Sequence, residues 1–403
     1  MLNFSPIESS APGPETSSPG SHENERARAY ARIKFRLGVV SAGLDLAILI
    51  WLAFSGASLA LSHGLQSEFV RHHGPGWLVL GYGVVLILGF TVIGLPFAIT
   101  SKVIERRYQL DRQSWLGWLG DELKSLALEL ALGIAALELI YALLRGSPRY
   151  WWLWSWAAFV GFTVVMAQLA PVLLLPLFFK FRRLTGATPE ESELITRLTR
   201  LGERARAPIH GVFEWKLGEK SAKANAALTG WGATRRVIVS DTLLQSSTPV
   251  EIEAVFAHEL GHHVHRHIPK GMVLQSALWL LGFWLSAQIL QTLTPRLHLQ
   301  GISDIAGLPL LALVAMVTGL IFMPLSNAFS RHMERQADDY AFITIGTPEP
   351  LISGLTKLAQ RNLAEVSPPR WKEVLFYSHP SIARRIERAQ HWASAQEAGK
   401  LQA

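Results

Sequence analysis

Six stretches of this chain are long and apolar enough to cross a bilayer, which takes about 20 residues of helix. They are Leu37–Leu61, Trp77–Ile99, Leu123–Leu144, Trp151–Phe179, Gly271–Leu293 and Ile305–Leu325. Lipid offers backbone groups no hydrogen bonds, so each run must satisfy its own as a helix. Composition agrees: 49% of the 403 residues are hydrophobic and 17% are charged, against about 25% charged in soluble domains. The third run carries Glu129 and Glu138, and the fourth is interrupted by Pro171 and Pro176, where a bend is expected. Asp45, Glu129, Glu138, Gln168 and Gln275 lie inside the runs, and such groups usually face a protein interior or a polar cavity.

The loops set the orientation. Arg26, Arg28, Arg32, Lys34 and Arg36 precede the first run. Lys102, Arg106, Arg107, Arg112 and Lys124 follow the second, and Lys180, Arg182 and Arg183 follow the fourth. The alternate loops hold few charges, so the positive-inside rule puts both termini in the cytoplasm. The formal charge of +7 then marks cytoplasmic loops, and no nucleic-acid partner is expected. Residues 1–25, rich in Ser, Pro, Gly and Glu, are expected as a disordered tail. Residues 26–180 then form a membrane domain of four spans, and residues 181–403 a second domain that includes two more spans, 271–293 and 305–325.

The chain has no cysteine, which excludes disulfides, thiolate metal sites and a thiol nucleophile. Its largest polar portion is residues 180–270. Pro189–Arg206 has helical periodicity, and Gly211–Lys216, Asn225–Thr229 and Arg236–Ser240 read as short strands. Gly230-Trp231-Gly232 predicts a turn joining the last two as a hairpin. A small sheet of this kind can hold an extended peptide as an added edge strand.

A helix follows, with Thr248 as N-cap, Pro249 at its first position and Glu251 placed for a capping box. Within it lies His258-Glu259-Leu260-Gly261-His262. Residues four apart share a helix face, so His258 and His262 can direct two imidazoles at one metal ion, with Glu259 in reach of a metal-bound water. That is the donor set of a zinc hydrolase with an open coordination position. Gly261 costs about 1 kcal/mol of helix propensity, which a close backbone approach would explain. His263, His265 and His267 are expected as accessory or solvent-facing groups.

Two histidines leave zinc short of a ligand. Ser330-Arg331-His332-Met333-Glu334-Arg335-Gln336-Ala337-Asp338 follows the sixth run and places Glu334 and Asp338 on one helix face. Glu334 can complete a His₂Glu set, and Asp338 can accept a hydrogen bond from a ligand histidine. The alternative is a solvated helix whose acids pair with Arg331 and Arg335. In Tyr377-Ser378-His379-Pro380, His379 can donate a hydrogen bond to a developing oxyanion, or it marks an ordinary turn.

With these residues in hand, the chain resembles the integral-membrane zinc metalloproteases of the CAAX prenyl protease 1 type, the M48 group. The resemblance runs through Leu95-Pro96, Glu105-Arg106-Arg107-Tyr108, Asp121-Glu122-Leu123-Lys124 and Pro176-Leu177-Phe178. It continues through Ser221-Ala222-Lys223-Ala224-Asn225-Ala226, Asp241-Thr242-Leu243-Leu244, His258–His262, Ser330–Asp338 and Ser378-His379-Pro380. It implies zinc on His258, His262 and Glu334, Glu259 as general base, and Asp338 behind a ligand. It further implies His379 near the scissile bond and Asn225 as a substrate-contacting strand position. The implied fold is mainly α: a ring of about six spans around a chamber, with a small α+β cytoplasmic peptidase portion. The implied partners are membrane lipid and a peptide or protein substrate, including lipidated, CAAX-type ones. The compactness of the chain points to a bacterial inner membrane. Two other readings stand beside this one, a membrane quality-control protease of loose specificity and a non-enzymatic metal-binding membrane protein.

Overall fold

The computed structural model describes residues 21–66, 74–230 and 235–401. Residues 1–20 of the expected tail, and Trp231 and Gly232 of the expected turn, lie outside the described residues. Helix α1 (Ser21–Phe54) begins inside the stretch read as a tail. It also ends before the first apolar run does. The backbone turns at Gly56, whose φ of 82° suits glycine, and a short helix α2 (Ala57–Leu65) follows. The run Leu37–Leu61 is therefore two helices, because hydropathy does not register a change of direction.

The other spans are α3 (Pro75–Arg107), α4 (Trp115–Gly146), α5 (Trp151–Leu169), α10 (His267–Leu293) and α11 (Leu308–Ile345). As the prolines predict, α5 loosens into a wider π-helical turn over Ala170–Leu174 before the single turn α6 (Leu175–Phe178). With this extension counted, six helices among the described residues are long and apolar enough to cross a membrane. The principal contacts run α1 to α3, α3 to α4, α4 to α5, α5 to α10, α10 to α11, and α11 back to α1. The spans therefore close into a ring. Val92, Val273 and Ile321 are exposed on it, as lipid-facing residues would be. At one end the ring is packed tight by Tyr82, Tyr141, Leu144 and Leu290, all essentially inaccessible.

At the other end sits the peptidase portion. Strand β1 (Phe181–Arg183) is followed by α7 (Pro189–Arg204), capped by Thr188. Strands β2 (Val212–Trp215), β3 (Ala226–Thr229) and β4 (Arg236–Ser240) complete a sheet of order β1-β2-β4-β3. The expected hairpin is present as the antiparallel pair β3–β4. Strand β2 runs parallel to β4, and β3 is an edge. Helix α8 (Asp241–Ser246) leads into α9 (Pro249–Val264), which carries the capping box. The core packs Leu198 and Leu201 of α7 and Val237 and Val239 of β4 against Ile252, Phe256 and Leu260 of α9. The chain ends in α12 (Glu349–Asn362), α13 (Arg370–Phe376) and α14 (Ile382–Leu401).

A collar of ion pairs joins the two portions. On the membrane side Lys102 on α3 is buried against Asp111 at 2.8 Å and Lys34 meets Glu105 at 3.1 Å, and Glu105 also crosses to Lys223 of the peptidase portion at 3.3 Å. Asp121 on α4 meets Lys220. Backbone bonds run alongside, from Arg112 N to Lys220 O and from Ala222 N to Leu110 O, each 2.9 Å.

Candidate active site

Three helices build the site. Helix α9 brings His258, Glu259 and His262. The chain then reverses at Arg266, in the left-handed region with φ 54°, and α10 starts at His267. Helix α11 carries the sixth span and continues without a break to Glu334 and Asp338. The crossing of α9 and α11 is very close. A Cβ added to Gly261 would lie 2.9 Å from Ala337 Cα and 3.1 Å from its carbonyl oxygen. The close approach that Gly261 implied is thus the backbone of the other site helix.

This crossing brings three donor groups together, with one ligand atom of each within 4.8 Å of the others. His258 Nε2 lies 3.2 Å from His262 Nε2 and 3.3 Å from Glu334 Oε2. His262 Nε2 lies 3.4 Å from Glu334 Oε1. Ligands about 2.0–2.1 Å from a tetrahedral ion stand about 3.3–3.4 Å apart, and each pair of groups approaches at about that spacing, the two imidazoles through different oxygens of Glu334. Among the described residues, these three form the group able to hold a metal. Glu334 is 4% exposed, and its Oε2 has no hydrogen-bond partner. A buried carboxylate oxygen without a hydrogen bond is costly, and a cation between the three groups removes that cost. Burial pushes the His258 imidazole down, but Asp338 and Glu334 beside it reverse this and raise it to about 9. The cluster therefore draws positive charge.

Behind His258, Asp338 is fully buried and stands 2.9 Å from Nδ1. Arg385 of α14 donates two hydrogen bonds to that carboxylate, at 2.9 and 2.6 Å. The exposed His379 lies with Nε2 3.2 Å from Glu334 Oε1. Glu259 and His262 line a cavity of about 500 Å³ with Met272, Gln275, Trp279 and Met333. Asn225 is exposed at the head of β3, its backbone N–H and C=O paired with Ser240, and β3 packs against α9.

Of the two roles left open for His267, accessory and solvent-facing, the structure has the first: it is 2% exposed. Its Nδ1 lies 2.9 Å from His262 Nδ1, and its Nε2 lies 3.0 Å from Gln336 Oε1. His265 stacks on its ring. Sequence reasoning left the choice open because His267 is five residues after His262, off the helical face, and the left-handed turn at Arg266 brings it back. Gln336 and Arg385 carried no local signal, since each acts through a partner distant in sequence.

The sequence matches the family model described as "Peptidase family M48" over residues 189–393. It matches "CAAX prenyl protease N-terminal, five membrane helices" over residues 16–180. It is 29% identical to "Uncharacterized metalloprotease YhfN" of Bacillus subtilis, over 92% of this chain and 86% of that protein. It is 26% identical to "CAAX prenyl protease 1 homolog" of Oryza sativa subsp. japonica, over 90% and 86% of the two. The crystal structure of S. mikatae Ste24p has the same fold, with a TM-score of 0.81 at 23% identity over 95% of this chain and 92% of that one. The peptidase match alone takes in half of the sequence, and on that ground the chain belongs to peptidase family M48, in the form of a multi-pass membrane metalloendopeptidase.

Proposed function

We propose that this protein cleaves membrane-associated peptides of the prenylated, CAAX type at a zinc ion held by His258, His262 and Glu334. The observation that carries the reading is the cluster of these three donor groups, whose nearest atoms approach pairwise at 3.2–3.4 Å. A nitrogen-rich set with one carboxylate and no sulfur suits zinc. When bound, zinc supplies the Lewis acidity that polarises a carbonyl and makes water a nucleophile at neutral pH.

The chain's own residues do the rest. Glu259 takes a proton from the attacking water and returns it to the leaving amine. His379 donates a hydrogen bond to the oxygen of the attacked carbonyl. Asp338, pinned by Arg385, accepts the Nδ1 proton of His258 and keeps Nε2 free. An extended substrate lies along β3 near Asn225, where an edge strand offers backbone pairing. The cavity beside Glu259, lined by Met272, Trp279 and Met333, suits apolar groups and favours a lipidated or apolar peptide. Residues 26–180 form a membrane domain and 181–403 a peptidase domain, a division supported by the two matched segments. Both termini face the cytoplasm of a bacterial inner membrane.

Glu259→Gln is expected to keep zinc and lower the cleavage rate at least about a hundredfold. A variant that still cuts at the wild-type rate sinks the mechanism. Wild type should cut a farnesylated peptide faster than its unmodified twin. Equal rates would favour the loose-specificity reading, and absence of any turnover in the metal-loaded protein would favour a binding role.

A further inference from the structure

The geometry points to His267 and Gln336 as a neutral positioning pair that holds a proton on His262 Nδ1 and so presents the Nε2 lone pair of His262 to the metal. This rests on His262 being a ligand. A neutral imidazole has one N–H and one lone pair. The amide oxygen of Gln336, 3.0 Å from His267 Nε2, accepts, so the His267 proton sits on Nε2. His267 Nδ1 is then a lone pair, and the contact of 2.9 Å to His262 Nδ1 needs one proton, which must come from His262. That leaves His262 Nε2 unprotonated, 3.4 Å from Glu334 Oε1. The opposite polarity, with the Gln336 amide nitrogen turned to His267, would protonate His262 Nε2 and close it to a cation. Metal binding therefore selects the first arrangement. Its burial, with His267 2% exposed, keeps water from competing for either bond.

The two imidazoles of the site are thus supported differently. His258 is backed by a carboxylate, Asp338, whose charge Arg385 offsets. His262 is backed by an uncharged ring. A second carboxylate behind His262 would add negative charge and weaken the pull of the cation on a carbonyl, whereas a neutral pair fixes the tautomer without that loss. The pair also ties the first residue of α10 to α11 between Glu334 and Asp338, which registers the metal position against a membrane span.

The test is zinc affinity of the purified full chain in detergent, by competition with a chromophoric chelator, together with the absorption spectrum of the cobalt-loaded protein. His267→Phe keeps a ring and removes the acceptor. It is expected to weaken zinc about 10–100-fold and to shift the cobalt bands. His267→Asn places an amide oxygen near the Nδ1 position and should restore both readouts toward wild type. Wild-type affinity in His267→Phe, or an equal loss in His267→Asn and His267→Phe, would overturn the proposal, the second outcome showing that only packing matters. If His267→Phe does not fold, Gln336→Leu decides. Weaker zinc binding there supports the pair, and unchanged affinity overturns it. A folded wild type that takes up no zinc would instead overturn the ligand reading itself.

Discussion

At Gly261 the two site helices leave no room for a methyl group, since its Cβ would meet the Ala337 backbone at 2.9 Å. Backbone cannot rotate aside as a side chain can. Gly261→Ala is therefore expected to destabilise the fold by about 1–3 kcal/mol, although alanine favours a helix. Zinc affinity should fall with it, because α9 and α11 must separate and Glu334 moves off the imidazoles. A melting temperature at or above wild type would refute this. The candidate ligands His258 and His262 were legible in sequence because residues four apart share a face, and Glu334 because two histidines call for a third ligand and it shares a face with Asp338 just after the sixth run. His267, Gln336 and Arg385 were not, because each becomes significant only through a fold that seats it behind another residue.

Among elements, α9 is the best defended. Thr248 N donates to Glu251 Oε2 at 2.7 Å, and Glu251 N donates to Thr248 Oγ1 at 3.3 Å. The same carboxylate accepts from Lys357 Nζ at 2.7 Å and from Ser353 Oγ, which fastens α9 to α12. Burial pushes the Glu251 carboxyl up, but Lys357, Ser353 and the Thr248 backbone outweigh it and hold it below the usual range. A carboxyl lowered by folding stabilises fully above its unfolded value, about 4.3. That contribution fades as pH falls through the folded value. Acid unfolding should accordingly be less steep in Glu251→Gln than in wild type, and an unchanged acid limb would argue against the role. Thr248→Ala should cost about 1 kcal/mol of stability by thermal melt. The capping box was readable from Thr248, Pro249 and Glu251 in sequence. The end of α1 at Phe54 was not, because a glycine within an apolar run gives no sign of its φ. Strand β1 escaped notice because three residues, two of them arginine, make no alternating pattern. The parallel pairing of β2 with β4 depends on partners far apart in the chain.

The whole molecule is a ring of spans with a peptidase portion fastened to one rim by ion pairs. Some of the basic charge that sets the orientation is paired at this rim, as with Lys34 on Glu105 and Lys180 on Glu219. With no native cysteine, single-cysteine labelling can test the topology directly. Ala398→Cys should react with an impermeant maleimide only after the cells are opened, and Ser147→Cys should react in intact cells. The reverse pattern would invert the proposed orientation. The number of spans was legible because a bilayer imposes a length on each. Their closure into a ring was not, since hydropathy says which segments enter lipid and nothing about which ones touch.

Helix α11 runs in one piece from the sixth span to Glu334, nine positions beyond Leu325 and so about 13 Å further along its axis. A rod held by lipid at one end and carrying a ligand at the other works as a lever. A 5° change in its lean displaces the carboxylate by about 1 Å, a large error for a coordination bond. Bilayers of unequal thickness impose unequal lean, so turnover in nanodiscs should peak at one acyl length and drop on both sides. Pro324, where a backbone N–H is missing, is the joint at which such transmission would be lost, and a flat profile across thicknesses would mean that it bends there.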